Sequence, residues 1–349
     1  MGKIKVFELN FDNPEGVYTT GCVIRGNVVL ELNEPMTCRG ITLRFKGKCK
    51  VRWSEDKRYY VGTERYIDDT IILAGILPSQ GFSELEIPTG INTFPFEYQL
   101  YPGVPASFLG CAGFVKYWAK CSIDFPIRVN KTVKKPFQVI GYLDLNRIPS
   151  VRVQDTKEKH LCCCCCATGP IKATFNIEKN TFVPGEAIKL FAEIHNGSWR
   201  RISKSYVSIK MLYTYNVKGN IREFCKEIAK VTRPGIAPHG SDVWSGEELV
   251  VPPTPPSFLP GCSIIDVKYT VQLSVDPSGP SLDLNIPLDI IIGTIPKATT
   301  LQPVGLASLL FGDSAFITPQ QALDLVILSA LLKSGDTGTS NFVADSSTS

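Results

Sequence analysis

VKYWAKCSID, from Val115 to Asp124, recurs as VKYTVQLSVD from Val267 to Asp276, about 150 residues later. Each copy follows a matching lead-in, SFLGC from Ser107 to Cys111 in the first and SFLPGC from Ser257 to Cys262 in the second. The Val-Lys-Tyr, the Ser five residues after the Tyr and the Asp two beyond that keep one spacing. Within the second copy Val267, Tyr269, Val271, Leu273 and Val275 fall on one side, and Lys268, Thr270, Gln272, Ser274 and Asp276 on the other. A period of two marks a strand with one buried face. Upstream, Gly21 opens CVIRGNVVLELN and Gly185 opens EAIKLFAEIHN, again a turn glycine, an alternating run and a closing Asn. Self-similarity at this distance means one domain built twice.

Short alternating runs punctuated by Asn13-Pro14, Pro102-Gly103, Pro184-Gly185 and Pro260-Gly261 continue to about residue 298, with no convincing amphipathic helix among them. Each half is long enough to bury a core of its own. The expected fold is therefore all-β: two tandem antiparallel β-sandwiches of immunoglobulin-like topology, with a flexible C-terminal tail. The expected boundaries are 1–148 for the first sandwich, 149–168 for a hinge, 169–298 for the second sandwich and 299–349 for the tail. That tail is rich in Ser, Thr, Gly and Asp, and its one apolar island, ALDLVILSALL from Ala322 to Leu332, is too short to span a bilayer. It reads as a short helix that packs on the body, or as one that docks on a partner or a membrane surface.

The chain is 44% hydrophobic and 20% charged, with a formal charge of +4, too modest to argue for nucleic acid. The amino terminus does not read as a signal peptide, so the expected compartment is the cytoplasm, where the glycosylation triplets at Asn130 and Asn196 stay unmodified. His160, His195 and His239 are the only histidines, and no Gly-rich phosphate loop, nucleophile elbow or paired carboxylates of dictated geometry appear. No enzyme, cofactor or metal site is expected; a cysteine nucleophile with His195 is the remaining catalytic reading.

Taken together and in order, GKCKVRW (Gly47 to Trp53), NTFPFEYQL (Asn92 to Leu100), FVKYWAKC (Phe114 to Cys121), KEKHLCC (Lys157 to Cys163), Gly169-Pro170-Ile171, FVPGEAI (Phe182 to Ile188) and NIPLDIIIGTIP (Asn285 to Pro296) resemble the α-arrestins, the arrestin-domain-containing proteins. The resemblance covers residues 1 to about 298. It implies two arrestin-fold sandwiches joined by a hinge, no catalysis, and a trafficking adaptor recruited to the plasma membrane or endosomes. Such an adaptor binds the cytoplasmic tails of membrane cargo and couples them to ubiquitin ligases and the endocytic machinery. One family feature is missing. Members typically carry Pro-Pro-x-Tyr motifs for the WW domains of ligases, whereas this sequence offers only Pro255-Pro256-Ser257-Phe258, inside the repeated core segment. A ligase-independent sorting scaffold of the retromer-subunit kind is therefore the alternative function, with a cysteine-dependent enzyme or redox sensor behind it.

Two constellations could carry binding. ITLRFKGKCKVRW places Arg44, Lys46, Lys48, Lys50 and Arg52 at every second position, hence on one face, over about 26 Å at roughly 3.3 Å per residue. Five like charges repel unless anions or acids sit across from them. The ligand implied is acidic or phosphorylated cargo, or anionic lipid; the plainer reading is a solvated face neutralised by Glu55, Asp56 or acids on a neighbouring strand. Lys3 and Lys5 form a weaker set, which the resemblance places near the phosphate-sensing region of the wider arrestin fold. Cys162, Cys163, Cys164, Cys165 and Cys166 form the other constellation, read as S-acylation sites in an exposed loop, as an extension of a cysteine pair that the resemblance places, partly buried, at the hinge, or as metal or redox ligands. The other seven cysteines read as small core residues.

Overall fold

The computed structural model describes residues 3–75, 84–126, 129–161 and 169–298. The first sandwich runs β1 (Ile4–Phe11), β2 (Val17–Thr19), β3 (Val23–Leu32), β4 (Met36–Cys38), β5 (Gly40–Glu55), β6 (Arg58–Gly75), β7 (Leu85–Ile87), β8 (Gly90–Gln99), β9 (Phe108–Leu109), β10 (Gly113–Asp124) and β11 (Lys131–Ile140). One sheet has the order β1-β3-β8, the other β2-β11-β10-β5-β6, with β9 paired to β10 and a small β4-β7 ladder at one end. The second sandwich runs β12 (Val153–Lys159), β13 (Ile171–Ile177), β14 (Thr181–Phe182), β15 (Ala187–Asn196), β16 (Ile202–Val217), β17 (Asn220–Ile236), β18 (Ser241–Val250), β19 (Ile265–Pro277) and β20 (Leu284–Ile292). Its sheets are β12-β13-β15-β18 and β14-β20-β19-β16-β17. The all-β tandem sandwich is the fold read from the alternation.

The repeat has a structural cause. Ser107 donates its N–H to the Val139 carbonyl (2.8 Å) and accepts from the Val139 N–H at its hydroxyl (2.9 Å), binding the lead-in to β11. Ser257 makes the same pair of bonds with Ile292 of β20, each 2.9 Å. The buried tyrosines match too: Tyr117 donates to the Pro105 carbonyl at 2.6 Å, and Tyr269 to the Pro255 carbonyl at 2.7 Å. A buried tyrosine needs a partner for its hydroxyl, and in each copy the proline two residues before the lead-in serine supplies the carbonyl. In the first copy Tyr117 lies opposite Gly47 of β5, where a Cβ would come within 2.4 Å of the ring. The glycine in FKGKC makes that room.

Alternation sets the layers. Val115, Tyr117, Ala119, Cys121 and Ile123 of β10 are all buried, as are Val267, Tyr269, Val271, Leu273 and Val275 of β19. Phe45 stacks on Tyr98 across the first core at 4.0 Å between ring centres. Core residues of both sandwiches form one continuous cluster. Across the boundary Phe108 meets Tyr213, with ring centres 5.7 Å apart, and Ala112 donates its N–H to the Tyr215 hydroxyl at 3.4 Å.

Two features depart from the sequence reading. Among the described residues strand pairing is antiparallel except for β2 with β11 and β14 with β20, which are short parallel contacts, and one parallel bridge joins Asp144 to Ile295. Residues assigned to the hinge include β12, which pairs with β13 as an edge strand over seven residues. Its VQDTKEK sequence reads as a charged linker, but edge strands are the ones that carry such charge. The apolar stretch Ala322 to Leu332 and the rest of the 299–349 tail lie outside the described residues.

Candidate functional site

β5 lies between β10 and β6, and its alternate residues Phe45, Gly47, Cys49, Val51 and Trp53 are buried. That anchoring turns Arg44, Lys46, Lys48, Lys50 and Arg52 to the outer face, where each is exposed or half-exposed. The neighbouring strands add to them. Lys120 of β10 stands opposite Arg44 on one side and Lys134 of β11 on the other, and Lys116 stands opposite Lys48. Arg65 of β6 reaches the same face, its side chain 74% exposed.

Asp68 is the carboxylate that answers them. It accepts from Arg44 Nε at 2.6 Å, from Arg65 at 3.1 Å, and has Lys46 Nζ at 4.0 Å. The Arg44 hydrogen bond holds its carboxyl below the usual range, and the same bond raises Arg44. Among the described residues Lys48, Lys50, Arg52, Lys116, Lys120 and Lys134 form no ion pair, and Glu55 and Asp56 pair with none of the stripe. Two cations at alternate positions, roughly 7 Å apart, repel by about 0.6 kcal/mol even at the dielectric of water. A face with this excess favours anions.

An aromatic sits in the middle of it. Trp118 of β10 has Lys134 Nζ 4.2 Å and Lys48 Nζ 5.6 Å from its ring centre, and Arg52 lies 5.5 Å from the Tyr59 ring. These contacts hold the cationic groups beside the rings without occupying them in ion pairs. The face can thus offer charge, donors and a flat apolar platform to an extended acidic segment. Lys116, Lys120, Lys134, Arg65 and Trp118 were not among the residues the sequence singles out, although alternation in β10 alone would turn Lys116, Trp118 and Lys120 outward.

The remaining candidates fall elsewhere. Lys5 is engaged with Glu31 at 2.6 Å, and Lys3 with the Pro35 carbonyl at 3.1 Å and Glu34 at 3.8 Å. Cys162 to Cys166 lie outside the described residues. Ser257 of the Pro-Pro-Ser-Phe segment is 1% exposed and bonded into β20, which leaves no free peptide for a WW domain. Asn196 is buried and donates to the Arg200 and Ala237 carbonyls, so it is closed to modification. His195 is exposed on β15, opposite Lys172 and Ser241, and is joined to no cysteine by any contact among the described residues. No group of three or more His, Cys, Asp or Glu suited to a metal occurs among them, and no helix there is long and apolar enough to cross a membrane. The seven scattered cysteines are not uniformly core residues: Cys38, Cys49 and Cys121 are buried, Cys22 and Cys262 half-buried, Cys111 and Cys225 exposed.

Comparison with known proteins places the architecture. Residues 7–146 match the model for the N-terminal domain of arrestin (or S-antigen), and residues 167–297 match the model for its C-terminal domain. Arrestin domain-containing protein 4 of Mus musculus is 31% identical over 310 residues, covering 84% of this chain and 73% of its own length. The Homo sapiens protein of the same name is likewise 31% identical, with 84% and 72% covered. Arrestin domain-containing protein 17 of Caenorhabditis elegans is 28% identical over 324 residues, covering 86% of this chain and 73% of its own length.

Proposed function

The chain belongs to the α-arrestin family of arrestin-domain-containing proteins, and from that premise we propose that it is a non-catalytic adaptor which binds acidic cytoplasmic segments of membrane proteins on the cationic face of its first sandwich. Family membership supports a trafficking adaptor in general. The observation that carries the finer reading is the charge imbalance of the β5 face, where among the described residues Asp68 alone pairs with the cations. An extended segment bearing carboxylates or phosphates along one side would meet donors at every second residue of β5, a spacing of about 7 Å that matches its own side-chain repeat. Such a protein works in the cytoplasm and is recruited to the plasma membrane or endosomes by its cargo. Cys162 to Cys166, if S-acylated, would add a lipid anchor to the basic face, which acyl-exchange labelling of the chain against a five-serine variant reads directly.

Fluorescence anisotropy with a phosphorylated acidic peptide tests the central part. The full chain binds, and Lys46→Gln, Lys50→Gln and Lys120→Gln together abolish most of that binding. Unchanged affinity would refute the assignment, and binding to anionic vesicles but not to the peptide would make the ligand lipid.

A second reading concerns what the adaptor delivers cargo to. The sequence has no Pro-Pro-x-Tyr, and its nearest approximation is folded into the second core, which favours sorting without a WW-domain ligase over ubiquitination. Proximity labelling in cells separates the two: coat or retromer subunits without ligases support the scaffold, while WW-domain ligases support the ligase adaptor.

A further inference from the structure

Each lead-in ends in Gly-Cys, and each delivers its cysteine across the domain boundary. Cys111 lies 3.9 Å from the Tyr213 hydroxyl of the second sandwich, and Cys262 lies with its Sγ 4.0 Å from Cys49 Sγ of the first. These contacts are symmetry mates. Val115 pairs with Cys49 on β5, Val267 pairs with Tyr213 on β16, and the two valines are one position of the repeat. Cys49 therefore stands where the other copy has tyrosine, and only at this one of the two related sites do two thiols meet.

The two thiols differ in access. Cys49 is fully buried on the inner face of β5. Cys262 is half-buried and, with Glu64, Arg65, Tyr66 and Ser263, lines an open cleft between the sandwiches. The turn that presents Cys262 is strained: Phe258 and Leu259 have φ of 70° and 41°, and Gly261 has 89°. Leu259 is buried, and a Cβ on Gly261 would lie 2.3 Å from the Gly103 carbonyl, so the turn is clamped against the first sandwich. Strain of this kind persists only where the surroundings enforce it. Glu64 closes the other side, accepting from the Ser263 N–H at 3.2 Å, from the Ser263 hydroxyl and from the Tyr66 hydroxyl at 2.6 Å.

This environment divides the labour between the sulfurs. Hydrogen bonding to Cys49 lowers the Cys262 thiol, burial opposes that, and the backbone at Ile264 and Ile265 lowers it further. Cys49 is raised, by its hydrogen bond to Cys262 and then by burial. The result is an ionisable sulfur facing a cleft, backed by a protonated one. That is the arrangement in which an oxidised thiol is resolved by a neighbour.

We propose that Cys49 and Cys262 form a redox-modifiable pair that a hydroperoxide converts into a disulfide joining the two sandwiches. The Cys262 thiolate attacks the peroxide: an S–O bond forms, the O–O bond breaks, and the departing oxygen takes up a proton and leaves as water or alcohol. Cys49 sulfur then attacks the sulfenic sulfur, the S–S bond forms, and the S–O bond breaks as hydroxide leaves with the Cys49 proton as water. Two electrons pass from the sulfurs to the peroxide, and a thiol reductant reverses the change. The sulfurs must close by about 2 Å to bonding distance. Because Lys48 and Lys50 flank Cys49 on β5, the bond would fix the cationic face relative to the second sandwich.

Hydrogen peroxide treatment of the full chain, followed by alkylation and peptide mapping, tests this. The expected product is a linked pair of peptides carrying Cys49 and Cys262; Cys262→Ser removes it, and Cys49→Ser leaves a sulfenic acid on Cys262 that dimedone captures. Cys262 oxidised without linkage to Cys49, or left reduced, overturns the proposal. A measurement needing no variant is the alkylation rate of the reduced parent, in which Cys262 should react roughly tenfold faster than its repeat counterpart Cys111. Equal or slower reaction at Cys262 contradicts the assignment.

Discussion

The two sandwiches share a backbone and differ in what they turn outward. Through the paired registers of β10 with β5 and β19 with β16, Arg44, Lys46, Lys48, Lys50 and Arg52 correspond to Ser208, which is buried, and to Lys210, Leu212, Thr214 and Asn216. Five cations in one copy face a single lysine in the other. The adjacent strand repeats the contrast, since Trp118 and Lys120 correspond to Thr270 and Gln272, while Lys116 has its counterpart in Lys268, which lies 3.8 Å from Asp266. Inward positions, by contrast, keep their character: Val115, Tyr117 and Ile123 against Val267, Tyr269 and Val275. The shared positions serve folding, and the positions that differ carry the cationic face on which binding is proposed.

The largest expected effect separates the two outer faces. Removing Lys46, Lys50 and Lys120 together as glutamines loses about 1 kcal/mol per exposed charge pair, roughly a hundredfold in affinity for an acidic peptide. A control set on the outer face of the second sandwich, Lys204, Lys210 and Lys268, replaced in the same way, should change affinity by less than about twofold. Equal losses from both sets would dissolve the distinction.

The shared inward positions make the next prediction. Tyr117→Phe and Tyr269→Phe should each destabilise the chain by about 1–3 kcal/mol in chemical denaturation, because a buried carbonyl loses its donor. Tyr269→Phe should cost more, since the Tyr269 hydroxyl also lies 2.7 Å from the Thr254 hydroxyl. A Tyr269→Phe chain as stable as the parent would show that this closure does not hold the repeat together.

Smaller effects sharpen the reading of the face itself. Trp118→Ala should weaken peptide binding by about 0.5–1 kcal/mol, a few-fold, without changing the unfolding midpoint, because the ring holds Lys48 and Lys134 in place. Asp68→Asn works in the opposite direction, freeing Arg44 and Arg65, and should tighten binding at neutral pH by up to a few-fold. The Arg44 bond depresses the Asp68 carboxyl, so its contribution to stability is present above the ordinary carboxylate range and is lost only as pH falls through the lowered value. The parent should therefore gain the tightening of Asp68→Asn only in acid, below that range. A parent and variant with the same affinity from neutral pH into acid would show that Asp68 does not restrain the face.

Local pattern made the strands and their inner and outer sides legible, because alternation in β5, β10 and β19 depends on neighbours along the chain. Long-range pairing was not legible. The parallel contacts of β2 with β11 and β14 with β20 leave no mark in the sequence, and the charges of β12 disguised an edge strand as a hinge. For the same reason the stripe on β5 could be read as a line but not as a surface. Lys120 joins Arg44 only through the register of β10, and Arg65 joins only through a shift in the pairing of β5 with β6 between Gly47 and Lys48. Cys49 and Cys262 are 213 residues apart, each an ordinary small residue in its own strand or turn, and only the packing of one sandwich on the other brings them together.

The salt dependence of acidic-peptide affinity tests the central claim most directly. Measured from low to physiological ionic strength, the parent should weaken steeply as the Debye length shrinks toward about 8 Å, because binding rests on several unneutralised cations. The Lys46→Gln, Lys50→Gln, Lys120→Gln chain should bind weakly with a much flatter slope, while the Lys204, Lys210 and Lys268 control variant of the second sandwich keeps the parent's slope. A parent whose affinity does not respond to salt, or three chains with one common slope, would contradict the assignment of binding to the β5 face.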